Sequence, residues 1–191
     1  MIAALLRRPE RPGEWVADGL RLLGLLGVVA GFLLWTPMDA GILALALPAL
    51  LVPRLVGARA WFDIVFDVVV LAAAWSNVLG LYESVPGWDL VMHFACTGVI
   101  AAMLYLALGR LSVVPPAGAP GTRDRTPIVV VTALGLAVSA LWEMVEWIGW
   151  ALISDEIYVG YEDSIGDMVA GGLGAVAAAV LVARVRLLRE E

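Results

Sequence analysis

Three pairs of ionisable residues stand at helical spacing in apolar surroundings. Asp89 and His93 are four apart, Glu143 and Glu146 three apart, and Asp163 and Asp167 four apart, so each pair shares one face of its helix. Four or five carboxylates crowded into a low-dielectric pocket cannot all stay ionised without cations, and otherwise several take up protons. A divalent metal is the economical neutraliser, with His93 supplying nitrogen and Asp89, Glu143, Glu146 and Asp167 supplying oxygen. Such mixed ligation suits Zn, Mn or Fe better than a thiolate metal. In that reading Glu143, Glu146 and Asp163 are the catalytic candidates, a carboxylate serving as general base beside a metal Lewis acid.

Each residue also has a plainer account. His93 is explained by one hydrogen bond to an acid, and Glu143 and Glu146 by protonated carboxyls that tie helices together. Asp163 and Asp89 are explained as N-caps of the helices they open. A cap does not explain the Glu-x-x-Glu pair, because an ionisable group inside a span costs about 2.5 to 3.5 kcal/mol. Trp142 and Trp147 flank the glutamates and are expected to close the pocket. Cys96, one turn beyond His93, reads as a packing residue, and as the only cysteine it forms no intrachain disulfide. No serine, cysteine or second histidine makes a nucleophile–base pair, which argues against covalent catalysis. A further acidic pair, Asp63 and Asp67, is expected to pair with Arg59 or Arg54, or to extend a proton path from Glu143. Gly171 to Gly174 supply small residues for close helix packing.

The elements that position these residues follow from composition. Of 191 residues, 62% are hydrophobic and 16% charged, and the mean hydropathy is +0.92. A soluble domain carries about 25% charged residues, so the chain is built for lipid. A disordered chain, a nucleic-acid binder and a disulfide scaffold are excluded. Spans of about 17 to 25 apolar residues cross a membrane, and six segments are expected to do so as an all-α bundle in one integral domain: 20–35, 41–56, 62–82, 88–108, 128–153 and 165–183. The second is short and interrupted by Pro48. A Pro- and Gly-rich linker, 109–127, joins the fourth and fifth.

All twelve basic residues are arginine. With six crossings and the N-terminus inside, all twelve fall on the cytoplasmic side, as positive charge in membrane proteins does. The opposite loops hold Asp39, Glu83, Asp89, Asp155, Glu156, Glu162 and Asp163. Trp15, Trp35, Trp61, Trp88 and Trp150 fall near the interfaces, as an aromatic belt requires. From the helical rise, His93 lies about 8 Å, Glu146 about 10 Å, Glu143 about 15 Å and Asp167 at most about 6 Å from the outer ends of their spans. The cluster is therefore expected in the outer half of the membrane. No internal repeat of the kind many transporters carry is evident.

The runs Asp89-Leu-Val-Met-His93-Phe94, Trp142-Glu143-Met-Val-Glu146-Trp147 and Asp163-Ser-Ile-Gly-Asp167-Met168 resemble the YjdF-type family of bacterial inner-membrane proteins, and more distantly VanZ-like proteins. The likeness covers roughly the C-terminal two-thirds. Leu90 stands where such proteins often have a basic residue. The resemblance implies a multi-pass protein of the bacterial cytoplasmic membrane and brings no reaction with it.

Three functions are consistent with these residues. One is a metal-dependent enzyme acting at an outward-facing site on an envelope lipid or lipid-linked substrate. The second is a proton- or cation-coupled transporter in which Glu143 and Glu146 exchange protons. The third is a non-catalytic assembly or binding subunit whose acids only fix helix packing.

Overall fold

In a computed structural model, residues 5–116, 125–154, 157 and 159–189 are described. They form seven helices and no strand: α1 Pro12–Leu34, α2 Pro37–Val56, α3 Ala60–Val78, α4 Leu81–Ser84, α5 Trp88–Arg110, α6 Arg125–Leu152 and α7 Tyr161–Arg184. All but α4 are long and apolar enough to cross a membrane. Large apolar side chains such as Leu45 and Leu173 are exposed on these helices, the distribution expected where lipid rather than water is the solvent. The chain is an all-α polytopic membrane protein. The expected outer-loop acids Asp155 and Glu156, and much of the 109–127 linker with its Arg123, lie outside the described residues.

Helix ends depart from the hydropathy reading for local reasons. Helix α1 starts at Pro12 rather than near residue 20, because proline is preset for the first helical position. Glu14 in that first turn accepts the Glu10 backbone N–H at 2.8 Å and faces Arg7 and Arg189, each at 3.1 Å. Helix α2 runs unbroken through Pro48 and Pro53, since proline is tolerated where neighbouring helices re-satisfy the freed backbone. Its start is fixed by a capping box in which Thr36 and Asp39 exchange side-chain-to-backbone hydrogen bonds, so Asp39 is a cap. Helix α3 ends at Val78 instead of near residue 82, because Gly80 at φ +63° turns the chain into α4. Helix α7 begins at Tyr161, a turn before the expected 165. Trp15, Trp35, Trp61, Trp88 and Trp150 all stand in or beside terminal helical turns.

The helices fall into two compact units, residues 1–86 with 186–191, and 87–185. In the first, α1, α2 and α3 pack pairwise, around Leu43, Ala46 and Ala74. The segment after α7 joins this unit: Arg59 N–H donates to Leu187 O at 2.7 Å and Arg189 N–H to Gly57 O at 3.0 Å. One end of this unit is ionic. Arg21 donates to Leu50 O at 2.8 Å and to Asp18 at 3.1 Å, pairs with Asp63, and lies 3.6 Å from the fully buried Asp67. Arg54 pairs with Asp18. Asp63 thus pairs with Arg21, a partner the sequence reading did not name. With α1 starting at Pro12, Arg21 sits inside that helix and its long side chain reaches across to α3.

In the second unit α5, α6 and α7 pack pairwise in layers one helical turn apart. His93, Glu143 and Asp167 form the first layer, Thr97, Ser139 and Gly171 the second, and Ala101, Gly135 and Ala175 the third. Small residues make this possible. A Cβ on Gly174 would stand 1.9 Å from the Phe94 carbonyl oxygen, and one on Gly135 would stand 2.2 Å from Ala175 Cβ. Deeper still, Tyr105, Val131 and Ala179 are buried, and the Tyr105 hydroxyl donates to Pro115 O at 2.8 Å.

Candidate functional site

The close approach of α5 and α7 at Phe94 and Gly174 puts the preceding turns of both helices side by side. His93 lies there, 7% exposed, beside the 2% exposed Asp167. Helix α6 brings Glu143 to the same level. The imidazole is surrounded: Nε2 lies 3.4 Å from Asp89 Oδ1 and 3.9 Å from Asp167 Oδ2, and Nδ1 lies 3.8 Å from Glu143 Oε1. Potential ligand atoms of Asp89, His93 and Asp167 fall within 4.8 Å of one another, as do those of His93, Glu143 and Glu146. Metal–ligand bonds of about 2.0 to 2.2 Å place neighbouring ligand atoms about 3 to 4 Å apart. The spacings around His93 fall in that range, and two of them exceed a direct hydrogen bond.

The residues named from sequence are therefore brought together around His93, with differences in detail. Asp89, expected at the rim, is in reach of the imidazole while its side chain stays 38% exposed, making it the open edge of the cluster. Asp163, one turn before Asp167, is half-buried and belongs to neither ligand group. Neither acid is an N-cap. Gly87 and Gly160 hold those positions, and no side chain caps either helix. Glu146 accepts the Trp142 Nε1–H at 2.8 Å. Trp142 and Trp147 remain 53% and 55% exposed, so neither closes over the cluster. Cys96 joins neither ligand group.

Charge compensation distinguishes this cluster from the ionic end of the first unit. There, Glu14, Asp18 and Asp63 each have an arginine partner, and Asp67, whose oxygens accept no hydrogen bond, still lies 3.6 Å from Arg21. Around His93, Asp89, Glu143, Glu146 and Asp167 have a single imidazole, and no arginine pairs with them among the described residues. Glu143 Oε1 is buried without a hydrogen-bond donor. A buried carboxylate oxygen left in that condition calls for a cation or a proton.

The hydroxyl layer beneath His93 escaped the sequence reading. Ser139 and Thr97 are buried, and both hydroxyls lie within 3 Å of where a Gly171 Cβ would stand. Ser139 Oγ has no partner, whereas Ser76 in the other unit donates back to Ala72 O at 2.6 Å in its own helix. The signal was available. Residues 97, 139 and 171 are each one turn from a candidate ligand on the same helix face.

A helical bundle unit with carboxylates converging on one buried histidine defines a class: a polytopic membrane protein with a buried carboxylate–imidazole cluster. The family follows from the whole sequence. Residues 3–187 match the model of the family described as "Predicted membrane protein (DUF2238)", and the chain belongs to that family, the YjdF-type family its motifs resemble. No curated protein and no solved structure matches the chain.

Proposed function

We propose that the chain binds a divalent metal, Zn, Mn or Fe, in the cluster of Asp89, His93, Glu143, Glu146 and Asp167, and uses it to act on an envelope lipid or lipid-linked substrate. The observation that carries this reading is the imidazole of His93 with three carboxylates within 4 Å and, among the described residues, no arginine paired with them. The metal would act as Lewis acid toward a phosphoryl or carbonyl oxygen. A carboxylate of the cluster, Asp163 included, would move the proton.

Two features support an enzyme over a transporter. Below the hydroxyl layer, Ala101, Gly135 and Ala175 pack closely, since a Gly135 Cβ would already overlap Ala175. A site closed on one side suits a substrate that arrives and leaves by the same mouth. An open apolar groove between α6 and α7, formed by the exposed Ile165, Val169, Leu173 and Val176 with Leu136 and Met168, begins at the level of Asp167. It suits an acyl chain lying beside a headgroup held at the cluster. The one-sided arginines support a cytoplasmic membrane location with both termini inside and the cluster toward the outside.

The test is turnover. Full-length protein in detergent, stripped with chelator and reloaded with Zn²⁺, Mn²⁺ or Fe²⁺, is incubated with membrane lipid extract and the lipids are resolved by mass spectrometry. Conversion of one lipid class that depends on the metal and is lost in His93→Ala is expected. Unchanged lipids with every metal would overturn the enzymatic reading.

A further inference from the structure

The two nitrogens of His93 face different acids, and a histidine that binds a metal through one nitrogen usually donates the other ring N–H to a carboxylate that fixes its tautomer and direction. We infer that the metal lies on the Nε2 side, held by Asp89, His93 and Asp167, and that Glu143 is the orienting carboxylate on Nδ1. This assignment rests on the metal reading above and divides its ligand set.

Three observations favour that side. Nε2 has two carboxylates within 4 Å, on two helices, while Nδ1 has only Glu143. Asp89 and His93 are one turn apart on α5 and Asp167 comes from α7, so two helices supply the three ligands and their ligand atoms lie within 4.8 Å of one another. Asp89 is also the exposed edge of the cluster, which leaves the metal open to substrate on that side, as a catalytic site requires. On the Nδ1 side one Glu146 oxygen already accepts the Trp142 N–H. The unpartnered Glu143 Oε1 is aimed at Nδ1 and is the natural acceptor for its proton. Glu143 is therefore a positioning residue, and Ser139, one turn behind it with its own unpartnered hydroxyl, supports the same face.

Binding of Zn²⁺ or Mn²⁺ alone to stripped full-length protein in detergent, measured by equilibrium dialysis, separates the roles. Asp167→Asn and Asp89→Asn are expected to weaken binding at least 100-fold. Glu143→Gln, whose amide oxygen still accepts the Nδ1 proton, stays within about 10-fold of wild type, the low end for a second-sphere change. A second pair of variants covers any ligand variant that does not fold. The amide of His93→Gln reaches toward the Nε2 position and retains measurable binding, whereas that of His93→Asn reaches only the Nδ1 position and binds none. Loss of metal in Glu143→Gln with retention in Asp167→Asn, or binding by His93→Asn and not His93→Gln, would overturn the assignment while leaving the metal reading intact. A wild type that binds none of Zn²⁺, Mn²⁺ and, dialysed anaerobically, Fe²⁺ would overturn the metal reading itself.

Discussion

Gly174 lies against Phe94 so closely that its missing Cβ would stand 1.9 Å from the Phe94 carbonyl oxygen. This contact sets the distance between α5 and α7 and, through the residue beside Phe94, the position of His93. The atoms this Cβ would meet are all Phe94 backbone, which cannot move aside as a flexible side chain would.

Gly174→Ala is therefore expected to destabilise the protein by about 3 kcal/mol, the upper part of the range for overpacking, and to reduce metal binding with it. Gly41→Ala, where nothing lies within 4 Å, should be neutral or slightly stabilising, as expected for glycine replaced inside a helix. Thermal unfolding in detergent compares the two, and equal stability would show that the helices do not meet at this glycine.

The ionic end of the first unit makes a separate prediction. Arg21→Met removes the cation facing Asp63 and the fully buried Asp67. Breaking a buried pair from one side costs about 3 to 5 kcal/mol, so the melting temperature should fall clearly. Neutralising the acids as well, in Arg21→Met with Asp63→Asn and Asp67→Asn, should recover much of the loss. A triple variant no better than the single one would show that Arg21 acts through packing.

How much of this was visible in the residues depends on range. Lipid demands long apolar helices, and the one-sided arginines required the weak second span, so all six long helices were legible despite Pro48. Their ends were not: Pro12, Gly80 and the first turn of α7 are local backbone decisions that hydropathy averages away. The cluster was legible because Asp89 with His93, and Glu143 with Glu146, share helix faces. Which carboxylate meets which ring nitrogen was not, since it depends on how close α5 and α7 come at Gly174. The partner of Asp63 was missed for a similar reason, because Arg21 meets it only once α1 and α3 are packed.

Orientation is tested by reporter fusions. The arginine distribution predicts that a fusion at Glu83 reports an outside location and one at Ser112 an inside location. The reverse result would turn the cluster toward the cytoplasm and remove the envelope as the source of substrate.

Ligand linkage gives a stability prediction. An ion held by the native cluster and not by the unfolded chain stabilises by about 4 kcal/mol when present at 1,000 times its Kd. Chelator should therefore lower the melting temperature of wild type and leave Asp167→Asn unchanged. Identical melting of wild type with and without chelator would contradict metal neutralisation.

The most direct measurement is elemental analysis of full-length protein purified in detergent without chelator, beside His93→Ala prepared in parallel. The account predicts close to one divalent ion per chain in the wild type, on the count of a single ligand set around one imidazole, and loss of that ion in the variant. Metal at background level in both, with the protein folded, would contradict it and leave protons as what neutralises Asp89, Glu143, Glu146 and Asp167.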